Sequence, residues 1–373
     1  MSRETSQYTQ AKTVRGLIPE DLLKFSWLQE IALAPDGGRV AYSVRRPDAA
    51  RNDYQGDVYL LDLETHTHHK LTFTAGQGHS LAWRRDGQQL AYVWQGLKQT
   101  RVVIVDAQGE PQRDYAIPDA PPSGLDWSPD GRRLALVRWT HVRHPEGRGP
   151  RPGVPAPTIR VIRRLRYKLN GAGWVEDRYQ HIWSLDLETG DLTQLTDGEC
   201  DYGAPRWSWS GTRLACTATA REQNTPLGQG QVVVYDLASG ELKRLMPQWQ
   251  GAAVSPQWRQ DDSAIAFAGY QGEPPVNRRM FYHVWLYDLQ DDQARELTAD
   301  LDQTVGNYAV ADQRAGLTNV TVKWPGGQGS IFFLLTDQGA THLYSVSPTV
   351  KEGKAEWQRL VGGHGVTFEY APA

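Results

Sequence analysis

Cysteine is nearly absent from this chain: 373 residues include two, Cys200 and Cys216. That excludes a disulfide framework and a four-cysteine zinc site. Long apolar runs are missing too. Stretches such as residues 331–335 fall far short of the roughly 18–20 residues a membrane span needs, so no membrane partner is expected. There is no excess of one charge: 40 basic against 43 acidic side chains leave a formal net charge of −3, too balanced to favour a nucleic-acid partner. The first twelve residues are polar, with no apolar core for a secretion signal, and a cytoplasmic location is expected. No cofactor is implied. His66, His68 and His69 are close in sequence, but on a strand the first two share a side that the third does not. With no carboxylate or cysteine cluster beside them, no metal site is expected.

Aromatics and glycine fill the space these absences leave. Fourteen Trp, sixteen Tyr and 36 Gly suit short aromatic strands joined by tight turns. Five segments share one phrase: Leu33-Ala34-Pro35-Asp36-Gly37, Trp83-Arg84-Arg85-Asp86-Gly87, Trp127-Ser128-Pro129-Asp130-Gly131, Trp207-Ser208-Trp209-Ser210-Gly211 and Trp258-Arg259-Gln260-Asp261-Asp262. In a Pro-Asp-Gly step Pro presets φ, Asp bonds its own backbone and Gly accepts φ > 0, so these segments predict hairpin turns. Apolar stretches such as Leu134-Ala135-Leu136-Val137 follow and predict buried strands.

A second phrase, typified by Ile182-Trp183-Ser184-Leu185-Asp186-Leu187, comes next and usually closes with Leu-Thr, as at Leu71-Thr72, Leu195-Thr196 and Leu297-Thr298. Each unit thus supplies about four strands. The second-phrase aspartates Asp62 and Asp106 are 44 residues apart, Asp186 and Asp236 are 50 apart, and Asp236 and Asp288 are 52 apart. That spacing predicts an all-β fold, a β-propeller of four-stranded blades, with six recognisable units and the start of a seventh at Thr367-Phe368-Glu369-Tyr370. The third unit carries an insertion at about residues 138–180. A short N-terminal helix is expected over residues 19–27, with Leu22, Leu23 and Trp27 on one face. The division expected is residues 1–28 as an N-terminal segment and 29–373 as the propeller.

The Ser-Pro-Asp-Gly-x-x-Leu-Ala phrase at residues 128–135, paired with the Tyr-x-x-Asp-Leu phrases, resembles TolB-like propellers and the N-terminal propellers of the prolyl oligopeptidase family of serine peptidases. The run Arg163-Arg164-Leu165-Arg166-Tyr167-Lys168-Leu169-Asn170-Gly171, followed by Asp177-Arg178-Tyr179, is similar to the acylaminoacyl-peptidase-like branch of that family. The resemblance implies a partner α/β-hydrolase domain and short peptides as substrates. No G-x-S-x-G nucleophile elbow is present in this sequence, so no catalytic residue is assigned and the chain alone is expected to be inactive. Its implied role is non-catalytic: gating peptide access to a hydrolase domain missing from this chain, and supporting assembly. The alternative is a free-standing TolB-like propeller acting as a protein-binding module. An incomplete seventh blade would expose strand edges, which favours a homo-oligomer.

Residues 138–168 hold nine Arg and Lys against the single acid Glu146. Most of that stretch suits a Pro- and Gly-rich surface loop. In residues 163–169, however, Leu165, Tyr167 and Leu169 alternate with basic residues ahead of an Asn-Gly turn, which would place the cations on one ordered face. The candidate substrate- or domain-interface residues are therefore Arg163, Arg164, Arg166, Tyr167, Asp177 and Arg178.

Overall fold

A computed structural model describes residues 15–118, 121–141, 167–169, 173–174, 178–220, 230–272, 281–308, 320–363, 365, 367 and 370–371. It contains six successive four-stranded antiparallel blades. Blade 1 comprises β1 (Trp27–Leu33), β2 (Arg39–Asp48), β3 (Asp53–Asp62) and β4 (His68–Lys70). Blade 2 comprises β5 (Gly76–Trp83), β6 (Gln89–Gly96), β7 (Thr100–Asp106) and β8 (Pro111–Ile117). In blade 3, β9 (Ser123–Trp127) and β10 (Arg133–His141) precede an inserted hairpin, β11 (Lys168–Leu169) and β12 (Gly173–Trp174); β13 (Arg178–Asp186) and β14 (Leu192–Gln194) complete it. Blade 4 is β15 (Cys200–Trp207), β16 (Arg213–Ala220), β17 (Gln231–Asp236) and β18 (Leu242–Arg244). Blade 5 is β19 (Gly251–Trp258), β20 (Ala264–Gln271), β21 (His283–Asp288) and β22 (Gln293–Glu296). Blade 6 is β23 (Val322–Lys323), β24 (Ile331–Asp337), β25 (Ala340–Lys351) and β26 (Lys354–Val361).

The blades are arranged radially. The first strands touch in order, β1 against β5, then β9, β15, β19 and β23, and therefore surround the axis. Each blade buries one face against the next: Ala215, Val232 and Leu245 of blade 4 pack with Ile265, Phe267 and Trp285 of blade 5. The tryptophan of the first phrase ties neighbours together. Trp83, Trp127 and Trp258 donate from Nε1 to the carbonyls of Ala32, Ala82 and Arg206, each on the preceding blade, at 2.9–3.0 Å. Tyr370 extends the pattern past blade 6, its hydroxyl donating to the carbonyls of Thr321 and Phe332.

Both repeated phrases act through the backbone. Gly37, Gly87, Gly131 and Gly211 hold φ between 68° and 73°, as the predicted turns require. Asp62, Asp186, Asp236 and Asp288 of the second phrase accept amides two and three residues ahead, as Asp186 does from Glu188 and Thr189 at 2.8 and 3.0 Å. Those backbone amides hold the carboxyls of Asp62, Asp186, Asp236 and Asp288 below their ordinary pKa. The Leu-Thr closure has a comparable use. The hydroxyls of Thr72, Thr196 and Thr298 accept the amides of Val58, Ile182 and Val284 at 2.9–3.3 Å; these amides lie beyond the short outer strands and would otherwise be buried without a partner.

Two features differ from the sequence-based expectation. The N-terminal helix is a 3₁₀ turn over Pro19–Lys24, and Trp27 already begins β1. Leu22 and Leu23 are exposed and form no buried face. Asp21 fixes the tight turn instead, accepting from Arg15, Lys24 and the Ile18 amide. Second, the first strands of blades 2 to 5 each carry a bulge three residues before the tryptophan, with Ser80, Gly124, Ala204 and Ser255 at φ 49–63°. An L-residue at positive φ is strained, whereas glycine at Gly124 is not. Ala204→Gly is accordingly expected to stabilise the chain by about 0.5–1 kcal/mol, the strain relief exceeding the entropic cost of glycine. Urea titration of parent and variant measures the difference.

Candidate functional site

The blades divide the ring into two ends. The turn face carries the first-phrase hairpins, and the opposite, insertion face carries the loops between second and third strands, including the one that holds β11 and β12. Of the sequence candidates, Arg163, Arg164, Arg166 and Asp177 lie outside the described residues. Tyr167 and Arg178 are described, and they serve different structures. Tyr167 is exposed and packs on Trp174 across the small hairpin, ring centroids 5.7 Å apart, with the Lys168 ammonium 5.8 Å from the same indole. Arg178 begins β13 opposite His141, its guanidinium 6.0 Å from the Trp139 ring. Three register steps further along the same strand pair, Arg138, opposite His181, is buried, lies 4.6 Å from the Trp183 ring and donates to the Pro118 carbonyl at 2.8 Å. The root of the insertion is thus a layer of guanidinium–indole contacts.

Beside it, on the same face, a cleft of about 580 Å³ opens between blades 1 and 2. Leu71, Tyr92, Trp94 and Val103 supply apolar walls, and Phe73, Leu97 and Lys98 stand at its exposed side. The Tyr92 hydroxyl is spent on the Leu71 carbonyl at 3.2 Å, and burial pushes its pKa up to about 12. It is a neutral, structural phenol at any ordinary pH. No group of three His, Cys, Asp or Glu able to hold a metal occurs among the described residues, and no helix among them is long and apolar enough to cross a membrane.

The turn face holds a second cluster, which the sequence reading missed. Arg85 donates from Nη2 to the Trp207 carbonyl at 2.9 Å and stacks on the Trp209 ring at 4.2 Å. Asp126 accepts the Trp207 amide at 2.7 Å, and Asp262 accepts those of Trp209 and Ser210 at 2.7 and 3.0 Å. Burial lowers the pKa of Arg85 and raises that of Asp126, each opposed by the other's charge. The available signal was positional: Arg85 and Trp209 stand where blades 1 and 3 have Pro35 and Pro129.

With these two faces defined, comparison with known proteins is informative. No protein-family profile matches the chain. It is 25% identical to the uncharacterized peptidase YuxL of Bacillus subtilis over 84% of this chain and 48% of that protein. It is 22% identical to dipeptidyl-peptidase 5 of Porphyromonas gingivalis over 92% of this chain and 49% of that one. Its homologues are peptidases. This propeller spans about half the length of the curated relatives it matches. Two solved structures share its fold. Acylaminoacyl peptidase of Pyrococcus horikoshii superposes with a TM-score of 0.67 at 14% identity, over 95% of this chain and 48% of that one. The β-propeller domain of the trilobed protease of Pyrococcus furiosus superposes with a TM-score of 0.60 at 15% identity, over 94% and 88%. The expected resemblance to the propellers of acylaminoacyl-peptidase-like proteins therefore holds.

Proposed function

We propose that this chain is the propeller part of a serine peptidase of the acylaminoacyl-peptidase type, and that it gates the access of short peptides to an α/β-hydrolase domain. One observation carries the reading: similarity to two peptidases runs along 84% and 92% of this chain but only about half of theirs. Gating follows from rigidity. Blades packed through buried aromatic interfaces form a ring that admits an extended peptide and rejects a folded protein. The insertion face, with its cation–aromatic hairpin and apolar cleft, is the side on which peptide or hydrolase domain would be met. Guanidinium and ammonium groups there suit a peptide carboxylate.

The test is to read the coding sequence beyond Ala373 and assay the full-length product beside the 373-residue chain. The expected result is an in-frame nucleophile elbow, with hydrolysis of short acyl-peptides but not of folded proteins by the longer product and no turnover by the shorter. Hydrolysis by the 373-residue chain itself, blocked by a serine-directed inhibitor, would overturn the reading. So would a longer product that degrades folded proteins as fast as short peptides.

A further inference from the structure

Arg85 belongs to blade 2 and its acceptor, the Trp207 carbonyl, to blade 4. Blade 3 lies between them in the ring, and blades two places apart approach within hydrogen-bond range only at the axis. Trp209 makes a second such crossing. A Cβ on Gly327 of blade 6, held at φ +64°, would fall 2.8 Å from Trp209 Nε1. This indole of blade 4 therefore also reaches the axis and abuts blade 6. Asp262 of blade 5 secures it through the Trp209 and Ser210 amides, while Asp126 of blade 3 secures Trp207. Groups from blades 2 to 6 thus converge at a single point on the turn face.

That point is dry. Arg85 Nη1 is buried and has no hydrogen-bond partner among the described residues. A guanidinium nitrogen in an open, water-filled mouth would be solvated, since leaving it without an acceptor is costly. The cost is tolerated because the rest of the cation is held by an indole face and a carbonyl, within the field of the Asp126 and Asp262 carboxylates. The repeat supplies the means. At the same place in their turns, blades 1 and 3 have prolines, Pro35 and Pro129, the latter packed 3.3 Å from the position of a Cβ on Gly211 of the next blade. A proline there stays within its own interface. Long side chains in its place, in blades 2 and 4, reach the centre instead.

We propose that Arg85 and Trp209 form a bolt that closes the turn-face mouth of the propeller channel, so that peptides reach the interior only from the insertion face. The bolt is a property of this ring; the route for peptides rests on the function proposed above. Hydrogen exchange on the full chain, followed by mass spectrometry over residues 203–212, tests the bolt without reference to activity. Arg85→Ala is expected to speed exchange at Trp207, Trp209 and Ser210 at least tenfold. Arg85→Lys, which cannot span and stack as a planar guanidinium does, falls between. Arg84→Ala is unchanged, because the Arg84 side chain bonds within its own turn, to Gln89 and Asp86, and to neither Trp207 nor Trp209 among the described residues. A melting curve for each variant shows that the rest of the ring is intact; should Arg85→Ala fail to fold, Arg85→Lys carries the comparison. Exchange in both Arg85 variants equal to the parent overturns the bolt. The second arm uses the full-length peptidase: opening the mouth raises kcat/KM for peptides too bulky for the parent. Faster exchange with an unaltered size profile overturns closure as a barrier to peptides, while absence of activity in the parent itself bears on the proposed function and leaves the exchange result standing.

Discussion

Phe267→Ala is expected to lower unfolding free energy by about 3–5 kcal/mol, the usual cost of removing a fully buried phenylalanine. Phe267 has no exposed surface. It stacks on Trp285 with centroids 6.4 Å apart and planes 13° from parallel, and meets Trp249 edge-on at 5.6 Å; Trp249 and Trp285 are themselves perpendicular at 5.0 Å. Trp285 cannot collapse into the space, because its Nε1 is tied to the Gly269 carbonyl at 3.0 Å. The cavity would lie between blades 4 and 5. In a ring whose units are stabilised by their neighbours, damage to one interface reaches the whole transition. Chemical denaturation followed by tryptophan fluorescence measures the loss. Phe73→Ala, at a residue 84% exposed, serves as the control, with a change within about 0.5 kcal/mol. Equal midpoints for the two variants would mean that the interface between blades 4 and 5 does not carry the core.

That aromatic cluster also shows what could be read in the residues alone. Trp258, Phe267 and Trp285 recur at set distances from the turn phrase, and a periodic apolar pattern is a direct consequence of blade packing, so the blades were legible. The bulges were not. They depend on two residues of one strand facing one of the next, and the four positions are filled by Ser80, Gly124, Ala204 and Ser255, which follow no single residue type. Nor was the role of the Leu-Thr closure, since a hydroxyl that accepts an amide 14 residues earlier is defined by register and not by local sequence. The candidate site divides in the same way. The expected hairpin is seen where Lys168 and Leu169 pair with Trp174 and Gly173, while the basic residues expected to share its face, Arg163, Arg164 and Arg166, lie outside the described residues. The contact partners of Tyr167 and Arg178, two different indoles, depended on tertiary packing. The axial cluster was visible only as two departures from a consensus, at Arg85 and Trp209, whose meaning required the ring to be closed up in space.

The closing threonines lead to the second large effect, a loss of stability in mild acid. Each has a partner in the residue before the amide it accepts: Asp57, His181 and His283. Asp57 is paired with Arg46 and Lys70, and His283 lies 3.1 Å from Glu296. Among the described residues His181 has no such counter-ion in contact, Asp197 and Asp201 acting on it only as nearby charges. It is wholly buried, its Nδ1 is 3.3 Å from Thr196 Oγ1, its ring lies against Tyr202, and Nε2 has no hydrogen-bond partner among the described residues. Burial lowers its pKa, as it does that of His79 in blade 2. Both are therefore neutral in the folded chain at pH values where an unfolded histidine, titrating near 6.5, has taken a proton. Unfolding then binds protons. The stability contributed is complete above about pH 6.5 and is lost as pH falls below that value toward the folded-state pKa, with a slope of up to about 1.4 kcal/mol per pH unit for each histidine. Urea titrations at pH 7.5, 6.5 and 5.5 should show little change across the first interval and a clear fall across the second. His181→Phe keeps an aromatic ring in the site and leaves Thr196 free to accept the Ile182 amide, so it isolates the charge: its stability should fall less between pH 6.5 and 5.5 than that of the parent, by up to about 1 kcal/mol. A parallel decline in parent and variant would show that His181 takes up its proton in the folded ring, in conflict with a buried imidazole that has no acceptor for the second N–H.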